Sequence, residues 1–168
     1  MRGDDERQYV EYVTARQEVL RRAAYLMCGD GHRADDLVQN TITALYRHWH
    51  RARAADNIDA YVHRILVRKY LDDQRLAWSR VRLVAETPEA PASPAASVEE
   101  REVLRAALAR LPRTQRTVLV LRFACDMSVD EVATVLRCSP GNVRSHTTRG
   151  LAALRHVYEI DELSTPDS

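Results

Sequence analysis

Two helix starts lie close together between Ser128 and Arg155, and they leave the segment little freedom to be anything but a helix-turn-helix. Ser128 and Glu131 form an S-x-x-E box, in which each side chain satisfies a backbone N–H that the first helical turn leaves orphaned. A short helix follows over Val129–Leu136, with Val132, Ala133, Val135 and Leu136 on its apolar side. Ser139-Pro140 then opens a second helix. Serine is a good N-cap, and proline at the first helical position sacrifices only an N–H that has no partner there. The second helix presents Asn142, Arg144, Ser145, His146, Thr147 and Arg149, while Val143, Leu151 and Leu154 can face inward. Arg and Asn make bidentate contacts to base edges in the major groove, and Ser or Thr hold phosphates. From Arg137 to Tyr158 there are four arginines and two histidines but no Asp or Glu. A merely solvated face mixes both signs, so this one points to DNA.

Charge along the rest of the chain agrees. The 168 residues carry a formal net charge of +1, which hides a strong asymmetry. Residues 101–158 hold 10 Lys and Arg against 4 Asp and Glu, whereas residues 81–100 hold 1 against 4 and the last ten hold 0 against 4. The excess of cations falls where phosphate contacts would need it. No apolar run approaches a membrane span, and Met1 leads into Arg2-Gly3-Asp4-Asp5-Glu6 rather than a secretory leader, so a cytoplasmic protein without membrane insertion is expected. Three cysteines make no disulfide framework. Cys28 and Cys125 read as small core residues, and Cys138, in the turn, as the most accessible thiol. Cys28 and His32 lack a second ligand pair nearby, so no metal and no cofactor is expected. Nor is there a nucleophile–base constellation or a Gly-rich phosphate loop, and no enzyme is expected.

Strand signals are nearly absent, and the chain reads as all-α with two small domains. Three prolines and several small residues between Glu86 and Ser97 mark a flexible linker, here taken as 83–97. The first domain, 1–82, is expected to hold three helices. The first runs from about Asp5 to Met27, packing through Val10, Val13, Leu20, Ala24 and Met27 and ending at Gly29. The second, from about His32 to Trp49, has an apolar stripe of Leu37, Val38, Thr41, Ile42, Leu45, Tyr46 and Trp49. A cationic break from His50 to Asn57 precedes the third, Ile58–Arg80, which should bury Tyr61, Ile65 and Leu66 and display His63, Arg64, Arg68, Lys69 and Arg75. In the second domain, 98–158, a capping box from Ser97 to Glu100 starts a helix ending near Leu111, and a helix carrying Val118, Leu119, Leu121 and Phe123 follows Pro112. The acidic tail, 159–168, is expected to be disordered.

A known family enters through particular strings. Ala34-Asp35-Asp36-Leu37-Val38-Gln39-Asn40-Thr41 resembles the A-E-D-L-V-Q-E-T signature of bacterial sigma factors, and Ala60-Tyr61-Val62-His63-Arg64-Ile65 is similar to their promoter-melting segment. Leu111–Arg116, Ser128–Ala133 and Ser139–Ser145 resemble their C-terminal promoter-reading domain. Order and spacing match the compact two-domain, extracytoplasmic-function group over about Tyr9 to Val157. Asn40 stands where that family usually has an acid, and Arg68 where it often has Asn.

The resemblance implies a division of labour. Asp35, Asp36, Leu37, Gln39 and Asn40 would dock on the clamp helices of the polymerase largest subunit, where a polar, partly acidic face suits a basic coiled coil. The break from Arg51 to Asn57 would capture a base flipped out of the −10 element, with Asn57, His63, Arg64, Arg68, Lys69 and Arg75 holding the melted strand and its duplex edge. Ser139, Asn142, Val143, Arg144, Ser145, His146 and Arg149 would read the −35 element. The partners implied are RNA polymerase core, including a subunit flap, then promoter DNA and an anti-sigma factor. The competing reading is a stand-alone helix-turn-helix regulator, with the first domain for effector binding or dimerisation.

Overall fold

The computed structural model describes the backbone of residues 2–80 and 98–164 and the side chains of residues 2–73 and 99–160. Every regular element among the described residues is helical. The chain divides into two compact units, Met1–Pro91 and Ala92–Ser168. The stretch expected to be a linker lies outside the described residues, as does Ser97 of the expected capping box.

In the first unit, α1 spans Gly3–Cys28 and α2 spans Gly31–Arg47. Asp4, Asp5 and Glu6 occupy the first turn of α1, where the helix dipole favours negative charge. Gly29 ends α1 at φ 72°, a conformation that costs glycine little, and its N–H donates to Tyr25 O at 2.8 Å. Asp30 caps α2 by accepting from the backbone N–H groups of His32 and Arg33 at 2.8 and 3.2 Å. Leu37, Val38, Thr41 and Leu45 form the buried stripe of α2, and the buried Thr41 hydroxyl donates to Leu37 O at 2.7 Å. The expected outer members of the apolar sets differ: Val10 and Tyr46 are exposed.

The chain does not break after α2. His48 donates its N–H to both Ala44 O and Leu45 O, and a short helix, α3, follows over Trp49–Ala54. This corrects the break expected from His50. Trp49 and Ala52 are one helical turn apart and both buried, which gives the basic segment an apolar side to wind against. Only Ala55–Asn57 separates α3 from α4, Ile58–Arg80. The buried face of α4 is Val62, His63, Leu66, Val67 and Tyr70, rotated from the expected Tyr61–Ile65 face, and both of those side chains are half-exposed. Full burial of a side chain such as Leu66 contributes ~1.5–3 kcal/mol.

In the second unit α5 spans Val98–Ala109 and α6 spans Arg113–Leu119. The latter runs into a wide π-type turn, Val120–Ala124, closed by Cys125 N–H to Val120 O at 3.1 Å. Val118, Leu119, Val120 and Leu121 are buried there, whereas Phe123 is exposed. The helix-turn-helix follows as α7, Val129–Leu136, and α8, Pro140–Ser164. Because α8 continues to Ser164, the first residues of the tail expected to be disordered are helical instead. Val143, Gly150 and Val157 are buried on one side of α8, spaced by whole pairs of turns.

Candidate nucleic-acid interface

Local chemistry sets the helix-turn-helix. Ser128 N–H donates to Glu131 Oε2 at 2.9 Å and Glu131 N–H donates to Ser128 Oγ at 3.1 Å, so both halves of the box are made. Arg137 ends α7 at φ 54°, a left-handed conformation that costs a residue with a Cβ about 1–2 kcal/mol and turns the chain sharply. Ser139 Oγ accepts from Asn142 N–H at 3.1 Å, and Pro140 is the first residue of α8.

Asn142, Arg144, Ser145 and Arg149 project from the opening turns of α8 and are exposed. Asn142, Ser145 and Arg149 follow three- and four-residue steps and form one face. His146 is half-buried. Two assignments need correcting. Val143 is fully buried, so it anchors α8 to the core and does not reach DNA. Leu151, expected inside, is 40% exposed. Thr147 spends its hydroxyl on Val143 O at 2.7 Å. Its neighbour Thr148 is exposed, one turn beyond Arg144, and joins the polar face; its four-residue step from Arg144 was the available signal.

On α2, Asp35, Asp36, Gln39 and Asn40 are exposed together, the pattern of a single helix face. Leu37 is not part of it; at 4% exposure it belongs to the core stripe. Asp35 is already engaged, because Arg21 Nε of α1 donates to its Oδ1 at 2.8 Å. That hydrogen bond, and then the charge of Asp35, raise the Arg21 pKa above its ordinary value.

Around α4 the cations are sorted by helix rotation. Arg68 and Lys69 are exposed and Arg64 is half-exposed. His63 is buried, contrary to expectation, because the inward face of α4 includes its position. The Arg75 side chain lies outside the described residues. Asn57 is exposed, and its Oδ1 accepts from Ala60 N–H at 3.1 Å, which caps α4.

Sequence reasoning missed a stripe along the first half of α1. Asp5 forms an ion pair with Arg53 of α3 and faces His50 Nε2 at 3.9 Å, and Gln8 Oε1 accepts from Arg53 Nη1 at 3.3 Å. Tyr9 donates to Ile42 O at 2.9 Å, and its ring meets Tyr46 and Trp49 edge-on. Tyr12 Oη donates to Asp59 Oδ1 at 2.6 Å, and Arg16 Nη2 lies 3.0 Å from Asp59 Oδ2. Burial, then the Asp59 carboxylate, push the Tyr12 hydroxyl well above the ordinary phenol range, so it stays a donor.

Comparison with known proteins identifies the frame. Residues 12–80 match Sigma-70 region 2, and residues 101–154 match Sigma-70, region 4. The chain is an RNA polymerase sigma factor of the extracytoplasmic-function group. It is 34% identical over 162 residues to the RNA polymerase sigma-E factor of Streptomyces coelicolor, spanning 93% of this chain and 89% of that one. It is 30% identical over 146 residues to the ECF RNA polymerase sigma factor EcfG of Rhodopseudomonas palustris, at 84% and 80% coverage. Two solved structures share the sigma factor's fold. One is the sigma factor RpoE of Bartonella quintana in complex with the anti-sigma factor NepR, with TM-score 0.80, 21% identity and 92% and 98% coverage. The other is CnrH in complex with the cytosolic domain of CnrY, with TM-score 0.69, 24% identity and 93% and 90% coverage. Since region 2 covers most of the first unit, a stand-alone regulator is not favoured. Among the described residues no helix is long and apolar enough to cross a membrane, and no group of three or more His, Cys, Asp or Glu is placed to hold a metal ion.

Proposed function

We propose that the sigma factor uses its two units for separate steps of promoter selection. The observation that carries this is the coexistence on one chain of the exposed Asp35-Asp36-Gln39-Asn40 face of α2 and the exposed Asn142, Arg144, Ser145 and Arg149 of α8. The first face docks on the clamp helices of the polymerase largest subunit, its carboxylates meeting cations there. The second enters the major groove at the −35 element, Arg144 and Arg149 supplying charge and forked donors, Asn142 and Ser145 shorter polar contacts. The Ala55–Asn57 loop, the part of the expected Arg51–Asn57 segment that lies outside α3, receives a base extruded from the −10 element, and Arg64, Arg68 and Lys69 hold the melted strand. The sigma factor brings no bond-making chemistry of its own. Opening costs a few kcal/mol of lost stacking per extruded base, which binding energy offsets. It works where polymerase and DNA are, in the cytoplasm.

An anti-sigma factor would control it by covering these faces. The support is that a sigma factor of the same fold, RpoE, is seen in complex with the anti-sigma factor NepR, and that CnrH, also of this fold, is seen bound to the cytosolic domain of CnrY.

The test is run-off transcription with sigma-free core polymerase on promoter DNA, comparing wild type with an Asp35/Asp36/Gln39 triple alanine variant. Promoter-specific transcripts that the variant loses are expected. If the variant binds core and transcribes like wild type, core docking is not on this face.

A further inference from the structure

The Ala55–Asn57 loop is pinned at both ends to the same helix. Two residues before it, Arg53 is held by Asp5; two residues after it, Asp59 is held by Tyr12 at 2.6 Å and by Arg16 at 3.0 Å. Asp5, Tyr12 and Arg16 lie seven and four residues apart, on one stripe of α1. At 1.5 Å per residue, Asp5 and Tyr12 are about 10 Å apart along a stiff rod. The rings of Tyr9 and Tyr12 meet Trp49 of α3 between these ties, but the ties that flank the loop are themselves polar. The apolar core of α1 begins at Leu20, and before it the buried residue is a carboxylate, Asp5. Burying a carboxylate costs stability unless a cation meets it, so this pairing adds little net stability and a defined geometry. Apolar contacts hold elements together; directional charged bonds hold them in register.

We propose that Asp5, Tyr12 and Arg16 are positioning residues, which keep the loop in the shape that receives the extruded −10 base. The proposal rests on the reading of Ala55–Asn57 as the base-receiving loop. A three-residue loop left loose would have to be ordered when the base arrives, and that cost would come out of the binding energy. Fixing it beforehand makes binding depend more sharply on whether a base is there. Asp5 precedes the region 2 match, which begins at residue 12, so the brace reaches outside the matched segment.

The experiment uses holoenzyme reconstituted from core polymerase and the full chain. Its probe is a fluorescent single strand carrying the −10 sequence of a promoter that the holoenzyme transcribes. Affinity is compared for the intact strand and for strands made abasic at each position in turn. Wild type is expected to lose about tenfold or more at the captured position, and Asp5→Asn and Tyr12→Phe to shrink that ratio severalfold. Tyr12→Phe removes one hydroxyl, which keeps the test valid if Asp5→Asn fails to fold. Exchanging the pair, Asp5→Arg with Arg53→Asp, should restore the ratio. Variants that keep the wild-type ratio, or that lose intact and abasic strands equally, overturn the proposal, the second outcome leaving only a structural role. If wild type itself does not discriminate at any position, the reading of the loop fails, and this inference with it.

Discussion

Arg21 and Asp35 join the first two helices of the sigma factor, Nε to Oδ1 at 2.8 Å, with each side chain about half exposed at 51% and 52%. One carboxylate of the proposed polymerase face is thus already neutralised by its own chain. An exposed pair of this kind contributes no more than about 1 kcal/mol, so Arg21→Ala should destabilise the first unit by at most that amount. Freed Asp35 would then meet polymerase cations without first releasing Arg21, and core affinity should rise by up to about fivefold, the equivalent of that energy. Fluorescence anisotropy with labelled sigma factor checks this, and adding Asp35→Ala should abolish the gain.

Neighbouring residues on α8 should behave in opposite ways. Arg144→Ala and Arg149→Ala should each weaken −35 duplex binding and reduce the slope of log affinity against log salt by about 1. Val143→Ala should leave that slope unchanged and destabilise the second unit by about 2 kcal/mol, because Val143 is fully buried. Salt titrations by anisotropy, with thermal melts alongside, separate the two effects.

The helix-turn-helix was legible from sequence because its determinants are local. Ser128, Glu131 and Ser139 each act within three residues, and the structure makes every one of those bonds. What tertiary packing decides was less legible. The cation-rich string of α4 gave no apolar count strong enough to set its rotation, so His63 was expected outside and Tyr61 inside. Leu37 and Val143 were legible as inward-facing from their helical spacing, and both are buried; only their membership of the motif strings had put them among the contact residues as well. The α1 stripe was invisible for a different reason. Asp5, Tyr12 and Arg16 read as an ordinary polar surface, and their partners Arg53 and Asp59 lie more than forty residues away. A short helix such as α3 carries no cap and no long periodicity to betray it.

Cys125 should be an inert thiol in the folded sigma factor. Burial pushes its pKa from 9.0 to about 12, so at pH 8 the thiolate is about a thousandfold scarcer than in the unfolded chain. Iodoacetamide labelling at pH 8, read by mass spectrometry of the Cys125 peptide, should be slower by that order in native protein than in guanidinium. The sign for stability follows. The unfolded chain gains a thiolate as pH passes about 9 and the folded chain does not until about 12, so the thiol contributes stability below pH 9 that is lost between those values. Cys125→Ala should flatten that part of the alkaline loss.

Gly150 is the contact point between α8 and α6, and a Cβ built there would come 3.0 Å from Leu119 Cδ1 and 3.1 Å from its Cγ. Two effects therefore oppose each other in Gly150→Ala. Alanine is favoured over glycine inside a helix by about 0.8–1 kcal/mol, but here the methyl presses on a branched, buried side chain. The single variant should be neutral or mildly destabilising. Leu119→Ala alone should cost about 2–5 kcal/mol by leaving a cavity. Combined, the new methyl has room and partly fills that cavity, so the helix preference should emerge. A double-mutant cycle from urea denaturation should give a favourable coupling of at least about 1 kcal/mol between the two sites. Additive effects would mean that Leu119 swings aside at no cost, and that the absence of a side chain at position 150 does not set how closely α8 approaches α6.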